Sequence, residues 1–321
     1  MRSKDISADS VEVVFIGGYG RSGSTILDIL IGNFEGVVGV GELVNIYQYW
    51  IEGNDDKNIN EEVHAFWERV KHAYMKRLRE RVPIFAVDER EHFRDMQKNQ
   101  KYVESIWFFL ATSKRKETYR VSLRSLYEAI SEVSGCSTIV DSSKTAWLSA
   151  FRPRGLLKVA GLSISCLHVV RHPYQVVLSM KKGDNVKMEK GSSDVSMLFP
   201  VLRGALGWTL ANILCFYQCR SYRAEMKSMV LQHENFVDSP MKEVSNISRF
   251  VGKDCSSLLD RMDKGEKITS KFLFSGNRVR MLGFSSVQKN KDKHLSIFEK
   301  LICDVVTLPI RLKFYSGNNV K

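Results

Sequence analysis

Short runs of consecutive apolar residues alternate with stretches of helical spacing along this chain. The runs are Val11 to Ile16, Val37 to Val40, Thr138 to Val140, Cys166 to Val170 and Met229 to Leu231. They are rich in β-branched residues and have little or no polar face, so they read as strands covered on both sides. Between them, Thr25 to Asn33, residues from about 55 to 135, and residues from about Val201 to Lys227 carry the helical pattern. Strands and helices in alternation predict an α/β fold, a parallel sheet flanked by helices. The stretch at about 50–135 is too long for a simple crossover. It is rich in charge and in aromatic residues such as Trp67, Tyr74, Trp107 and Tyr127, and is expected to be a mostly helical insertion capping the ligand crevice. In the last long helix Leu206, Trp208, Leu210, Ile213, Leu214 and Phe216 form an apolar stripe that is expected to face the core.

Where the apolar runs stop, polar residues begin. The first run breaks into Gly17-Gly18-Tyr19-Gly20-Arg21-Ser22-Gly23-Ser24-Thr25, the second ends at Gly41-Glu42-Leu43, the third at Asp141-Ser142-Ser143-Lys144, and the fourth at Arg171-His172-Pro173. In open α/β sheets the carboxyl ends of the strands form the ligand crevice, so four strands deliver chemistry to one edge. The strand–loop–helix at residues 13–31 places free backbone N–H groups and the positive end of a helix at one point, where a phosphate or sulfate fits.

That loop parses in more than one way. Gly18-x-Gly20-x-x-Gly23, with Glu42 further on, fits a dinucleotide fingerprint. However, Arg21 would then sit in a turn that must approach a pyrophosphate closely. Gly18-x-x-x-x-Gly23 fits a Walker A loop, but Ser24-Thr25 stands where Lys-Ser/Thr should be, and the β- and γ-phosphates lose their point charge. A plain structural turn is the bland reading.

Composition narrows the partners without choosing among them. The 321 residues are 44% hydrophobic, with 48 Lys and Arg against 36 Asp and Glu, a net charge of +12. That excess suits an anionic ligand, nucleic acid or an anionic membrane surface. The basic residues fall in short clusters (Lys76-Arg77, Lys114 to Lys116, Lys289 to Lys293) without the contiguous basic, aromatic-interleaved stripe of a nucleic-acid binder. No nucleic-acid partner is therefore expected. The six cysteines form no CxxC pair and no Cys/His zinc spacing, and reduced thiols in a cytoplasmic setting are their simplest account. No apolar run reaches transmembrane length, and the first eleven residues are polar.

Gly20-Arg21-Ser22-Gly23-Ser24-Thr25 at a helix start resembles the 5′-phosphosulfate loop of sulfotransferases that use 3′-phosphoadenosine 5′-phosphosulfate (PAPS), a family whose fold is akin to P-loop kinases. Val169-Val170-Arg171-His172-Pro173, with Ser179 eight residues after the arginine, is similar to that family's 3′-phosphate motif. Gly41-Glu42-Leu43, Asp141-Ser142-Ser143-Lys144, Trp208-x-x-x-Asn212 and Gly276-Asn277-Arg278-Val279-Arg280 also look like the bacterial members. His172 stands where an acidic residue is common, and Lys271-Phe272-Leu273-Phe274 lacks a histidine that many bacterial members carry.

The resemblance implies one domain over residues 1–321, with PAPS as sulfuryl donor and PAP as product. It further implies a hydroxyl or amine of a small-molecule or carbohydrate acceptor, and in-line transfer without a metal. A P-loop kinase-like phosphotransferase is the alternative. Gly20, Arg21, Ser22, Gly23, Ser24 and Thr25 would hold the 5′-phosphosulfate, with Arg21 on the sulfuryl oxygens. Arg171, Ser179, Arg278 and Arg280, assisted by Lys182, would read the 3′-phosphate. Lys144 would stabilise the leaving group, and Glu42 would be the general base, with a capping or salt-bridging carboxylate as the alternative for Glu42. His168 and His172 are rivals for the base, although His168 is expected to pack within the sheet. Asp141 is expected to position Lys144 or to cap a turn, and His233 is a further rival for the base, although its segment with Glu234 is expected to brace the fold. The apolar stripe apart, Trp208 and Asn212 are the residues of the long helix that the resemblance draws toward the site.

Overall fold

The computed structural model describes residues 11–52, 60–82, 88–146, 149–181, 198–276, 279–286 and 294–315. Strands β1 (Glu12–Gly18), β2 (Val37–Gly39), β3 (Thr138–Asp141), β4 (Ser163–Val170) and β5 (Lys227–Gln232) form one all-parallel sheet. Their order is β2-β3-β1-β4-β5, which puts β1 at the centre. Val13 is in register with Ile139 of β3 on one side and Ile164 of β4 on the other. Alternation along β1 splits its side chains between two apolar layers. Val14 and Ile16 pack with Leu27 and Leu30 of α1 (Ser24–Ile31), while Val13 and Phe15 join the opposite layer.

The opposite layer holds the predicted insertion. It comprises α2 (Ile46–Glu52), α3 (Glu61–Arg81), α4 (Glu89–Glu104) and α5 (Ser113–Ser134), all between β2 and β3. Local chemistry sets its helix ends. Asn60 caps α3 by accepting from Val63 N at 2.8 Å, and Thr112 caps α5 by accepting from Arg115 N at 3.3 Å. Its helices meet the sheet layer through one continuous core, in which Trp50, Tyr74 and Phe93 cluster with Trp50 and Phe93 5.1 Å apart between ring centroids. A later segment clamps this insertion: Phe272 stacks on Phe66 at 4.0 Å, and its carbonyl accepts from Trp67 Nε1 at 2.9 Å.

After β4 come α6 (Pro173–Lys181) and α7 (Leu198–Ser221). After β5 come α8 (His233–Asp238), α9 (Pro240–Val251), α10 (Ser256–Asp263) and α11 (Ile297–Tyr315). The long helix expected to run to about Lys227 ends at Ser221, and β5 starts at Lys227. The expected core stripe is also corrected. Leu206, Leu210 and Ile213 are exposed, while Ala205, Trp208, Ala211, Asn212 and Cys215 face inward. α7 is apolar nearly all round, so spacing alone could not select the face that meets the sheet. Three thiols lie together in the packed layer: Cys166 on β4 with Cys215 and Cys219 on α7.

Candidate functional site

The β1 loop is shaped by two residues with left-handed backbone, Arg21 (φ 67) and Gly23 (φ 91). Gly23 cannot carry a side chain here, because a Cβ would lie 2.8 Å from His233 Nδ1. The turn feeds α1 directly, and Gly23 at its start makes no side-chain cap, so the first N–H groups of the helix lie at the loop without intrahelical partners.

Arg171 leaves the end of β4 and reaches back to this loop, where its Nη1 donates to the Arg21 carbonyl at 2.8 Å. Trp208 Nε1 in turn donates to the Arg171 carbonyl at 2.9 Å. Asn212 Oδ1 lies 2.9 Å from His168 Nε2 within the sheet layer. Trp208 and Asn212 therefore brace β4 from behind, and both are buried. His168 packs within the sheet as expected. His172 sits between the rings of Tyr174 and Tyr315, and its N–H donates to Glu234 at 2.8 Å.

Two adjoining cavities open at the carboxyl ends of the strands. The larger, about 590 Å³, is lined by Gly20, Arg21, Gly23, Ser24 and Thr25 of the loop, and also by Arg171, Ser179 and His233. Both regions that the sequence analysis singled out as anion sites thus face one space. Ser22 is buried in the turn. Arg280 turns its Nη1 to the Gly276 carbonyl at 2.9 Å, while its neighbours Gly276 and Val279 line the cavity. Lys182 and Arg278 lie outside the described residues.

The smaller cavity, about 440 Å³, is walled by the insertion: Asn45 and Gln48 from its start, and Gln97, Gln100 and Lys101 from α4. Tyr19 of the loop and Arg203 of α7 complete it. The two cavities share Gly20, Arg21, Glu42, Asn45 and Lys144.

At the junction Glu42 and Lys144 form an ion pair across the ends of β2 and β3. Glu42 is held from the other side by Ser275, whose Oγ accepts from Glu42 N at 3.0 Å, and Asn45 Nδ2 donates to its Oε2 at 3.4 Å. Among the described residues, Arg21 and Lys144 (φ 65) are the non-glycine residues with left-handed backbone. Such a conformation costs about 1–3 kcal/mol and persists where surrounding structure over-determines it. Both strained residues stand at this junction.

A buried network over-determines Lys144. Asp141 Oδ1 accepts from Ser143 N at 3.0 Å and from the Ser143 hydroxyl, which sets the turn before Lys144. Its other oxygen accepts from Arg152 Nε and from Tyr127 OH, each at 2.7 Å. Arg152 also pairs with Glu104 at the end of α4, where Tyr119 donates at 2.8 Å. The Asp141 and Glu104 carboxylates hold Arg152 well above the ordinary guanidinium value against its burial. The insertion is thereby wired to the Lys144 turn. Nothing in the sequence spacing points to Arg152, which lies in a short helical turn after Lys144 and outside every motif.

His233 is the residue that sequence reasoning undervalued. Its segment does brace the fold, through Glu234, but its own ring lines the larger cavity beside Gly23 and Arg171. Burial, then the Arg171 charge, push it down to about 4, so the ring is neutral near pH 7. Its position directly after β5 was the available signal, since β5 ends at the same edge as the other strands.

Asp28 on α1 ties the loop helix to the Glu42 segment, with Gly41 N donating to its Oδ2 at 3.0 Å. Burial raises it from 3.8 to about 8. The folded state thus holds a proton that the unfolded chain releases, and stability from this group falls as pH rises from about 4 to about 8, by up to about 1.4 kcal/mol per pH unit. Asp28→Asn is expected to gain stability relative to wild type between pH 5 and pH 8 in urea denaturation. A difference that does not change with pH would remove the buried acid from the account.

No protein-family model matches the chain, and no curated protein sequence matches it. Solved structures similar to it include the sulfotransferase domain from the curacin biosynthetic pathway, at 17% identity over 86% of this chain and 84% of that one, TM-score 0.47. The sulfotransferase domain from the Synechococcus PCC 7002 olefin synthase is similar at 16% identity over 95% of this chain and 97% of that one, TM-score 0.43. Sulfotransferase STF9 from Mycobacterium avium is similar at 9% identity over 97% of this chain and 78% of that one, TM-score 0.47.

Proposed function

We propose that this chain is a PAPS-dependent sulfotransferase acting on a hydroxyl or amine of a small-molecule or carbohydrate acceptor. The observation that carries this reading is that the lysine-free loop and the Arg171–Ser179 pair line one cavity, which meets a second cavity at Arg21, Glu42 and Lys144. Two anion-binding regions facing one space suit a nucleotide with phosphates at both its 3′ and 5′ positions. The residues present fit such a donor: Arg171 Nε and His233 Nδ1 are buried polar atoms without hydrogen-bond partners among the described residues, on side chains that line the cavity.

In this reading the N–H groups of residues 21–25 and the Ser24 and Thr25 hydroxyls hold the 5′-phosphate. Arg171 and Ser179 hold the 3′-phosphate. Arg21 offsets charge on the sulfuryl oxygens as the acceptor oxygen or nitrogen bonds to sulfur. Lys144 turns from Glu42 toward the oxygen that leaves with the electron pair of the broken S–O bond. That turn frees Glu42 to take the acceptor's proton. Asn45, Gln48, Gln97 and Gln100 give the smaller cavity amide donors and acceptors suited to a hydroxylated molecule.

Calorimetric titration with PAP tests the proposal. Binding is expected, and Arg171→Ala is expected to weaken it about 10- to 100-fold through loss of charge-assisted hydrogen bonds. Unchanged PAP affinity in that variant counts against the assignment, and magnesium-dependent ATP turnover would favour the kinase-like alternative instead.

A further inference from the structure

We propose that the outer face of α7 and α11 docks the protein on an anionic membrane surface. The inference starts from the corrected stripe on α7. Leu202, Leu206, Leu210, Ile213 and Tyr217 recur every three or four residues and are exposed, Tyr217 at 60%. Such spacing keeps them on one helix face. On α11, Ile297, Leu301, Val305, Leu308 and Leu312 repeat the pattern, with Ile297 at 89% and Val305 at 67% exposure. The two helices pack side by side, joined by Thr209 Oγ1 donating to the Val306 carbonyl at 3.1 Å and by the rings of Phe216 and Phe314. Soluble chains rarely leave two neighbouring helices apolar toward water, and a face of this kind marks an interaction surface.

Charge selects the occupant. α7 contains no acidic residue, and Arg203 and Arg220 stand exposed near its two ends. The two acids of α11 are engaged by neighbouring groups: Glu299 pairs with Lys181, while Asp304 pairs with Arg311 and accepts from Tyr174 OH. Lys313 adds an exposed cation beside Phe216. An apolar face rimmed by cations complements an interface of acyl chains and anionic headgroups. A second copy of the chain meeting this face across a twofold axis would set the same cations against each other. No helix among the described residues is long and apolar enough to cross a membrane, so the expected attachment lies in the interface plane. Arg203 also lines the smaller cavity, and the docked face therefore borders that cavity.

Co-sedimentation of the full chain with vesicles tests this. It is expected to pellet with phosphatidylcholine vesicles containing phosphatidylglycerol, to be released by salt, and to bind pure phosphatidylcholine at least about tenfold more weakly, each cation near the surface contributing about 1 kcal/mol. The double variant L301E/V305E, and separately R220E/K313E, are expected to lose at least about tenfold in partitioning. Circular dichroism should show both still folded. Failure to bind anionic vesicles overturns the proposal, as does equal binding to both vesicle types. Light scattering that shows a dimer dissociated by L301E/V305E, without vesicle binding, also overturns it and assigns the face to self-association.

Discussion

Glu42→Gln is expected to lower turnover by about two to four decades while PAP affinity stays within about threefold of wild type. Glutamine keeps the shape of the side chain and can still meet Asn45, and the backbone bond to Ser275 is untouched. It can neither take a proton nor balance the Lys144 charge. Turnover and affinity separate the roles, because Glu42 stands at the junction of the cavities and not among the groups proposed to hold the 3′-phosphate. A base also leaves a signature in pH: the acidic limb of the kcat profile should disappear in the variant. Retention of full turnover would exclude Glu42 as base. Loss of turnover with the acidic limb intact would reduce it to a positioning residue that holds Lys144.

The second large effect is expected on stability. Arg152→Met leaves Asp141 and Glu104 buried without their shared cation, and both carboxylates are fully enclosed. Removing one partner of such a network costs about 3–5 kcal/mol, because the remaining charge stays desolvated. That is a large fraction of the about 5–15 kcal/mol that holds a domain of ordinary stability folded. Chemical denaturation measures it as a shift in midpoint at constant slope. Arg152→Lys should fall between, since one ammonium cannot span the two carboxylates as the fork does. A loss below about 1 kcal/mol for Arg152→Met would show that the network is relieved by water or by carboxyl protonation. If the network also sets the strained Lys144 turn, the Lys variant should bind PAP with little change and turn over more slowly.

The elements that could be read from the chain were those whose signals are local. Val13 to Gly18 announces a buried strand by composition and a loop by its glycines, since strand burial and left-handed turns both act over a few residues. Arg171 and Lys144 could be picked out because each follows an apolar run, and parallel strands end at a common edge. What spacing could not convey was mutual placement. Arg152 lies far from Glu104 in sequence and near Asp141 only after a turn, so their pairing is a property of packing. The stripe of α7 was misjudged for a related reason. A helix apolar on most sides carries no periodic clue to which side meets the sheet, and here Trp208, Ala211, Asn212 and Cys215 are buried while Leu202, Leu206 and Leu210 turn outward.

By itself the sequence determined an α/β chain with a parallel sheet, a helical insertion before β3, and chemistry at the strand ends, because alternation, turn residues and helix caps act within a few residues of each other. Only the tertiary structure decided that the loop near Arg21 and the arginine at the end of β4 face one space, that Glu42 and Lys144 meet between two cavities, and that His233 joins them. These depend on strand order and on which side of the sheet each connection returns, and no local pattern encodes either.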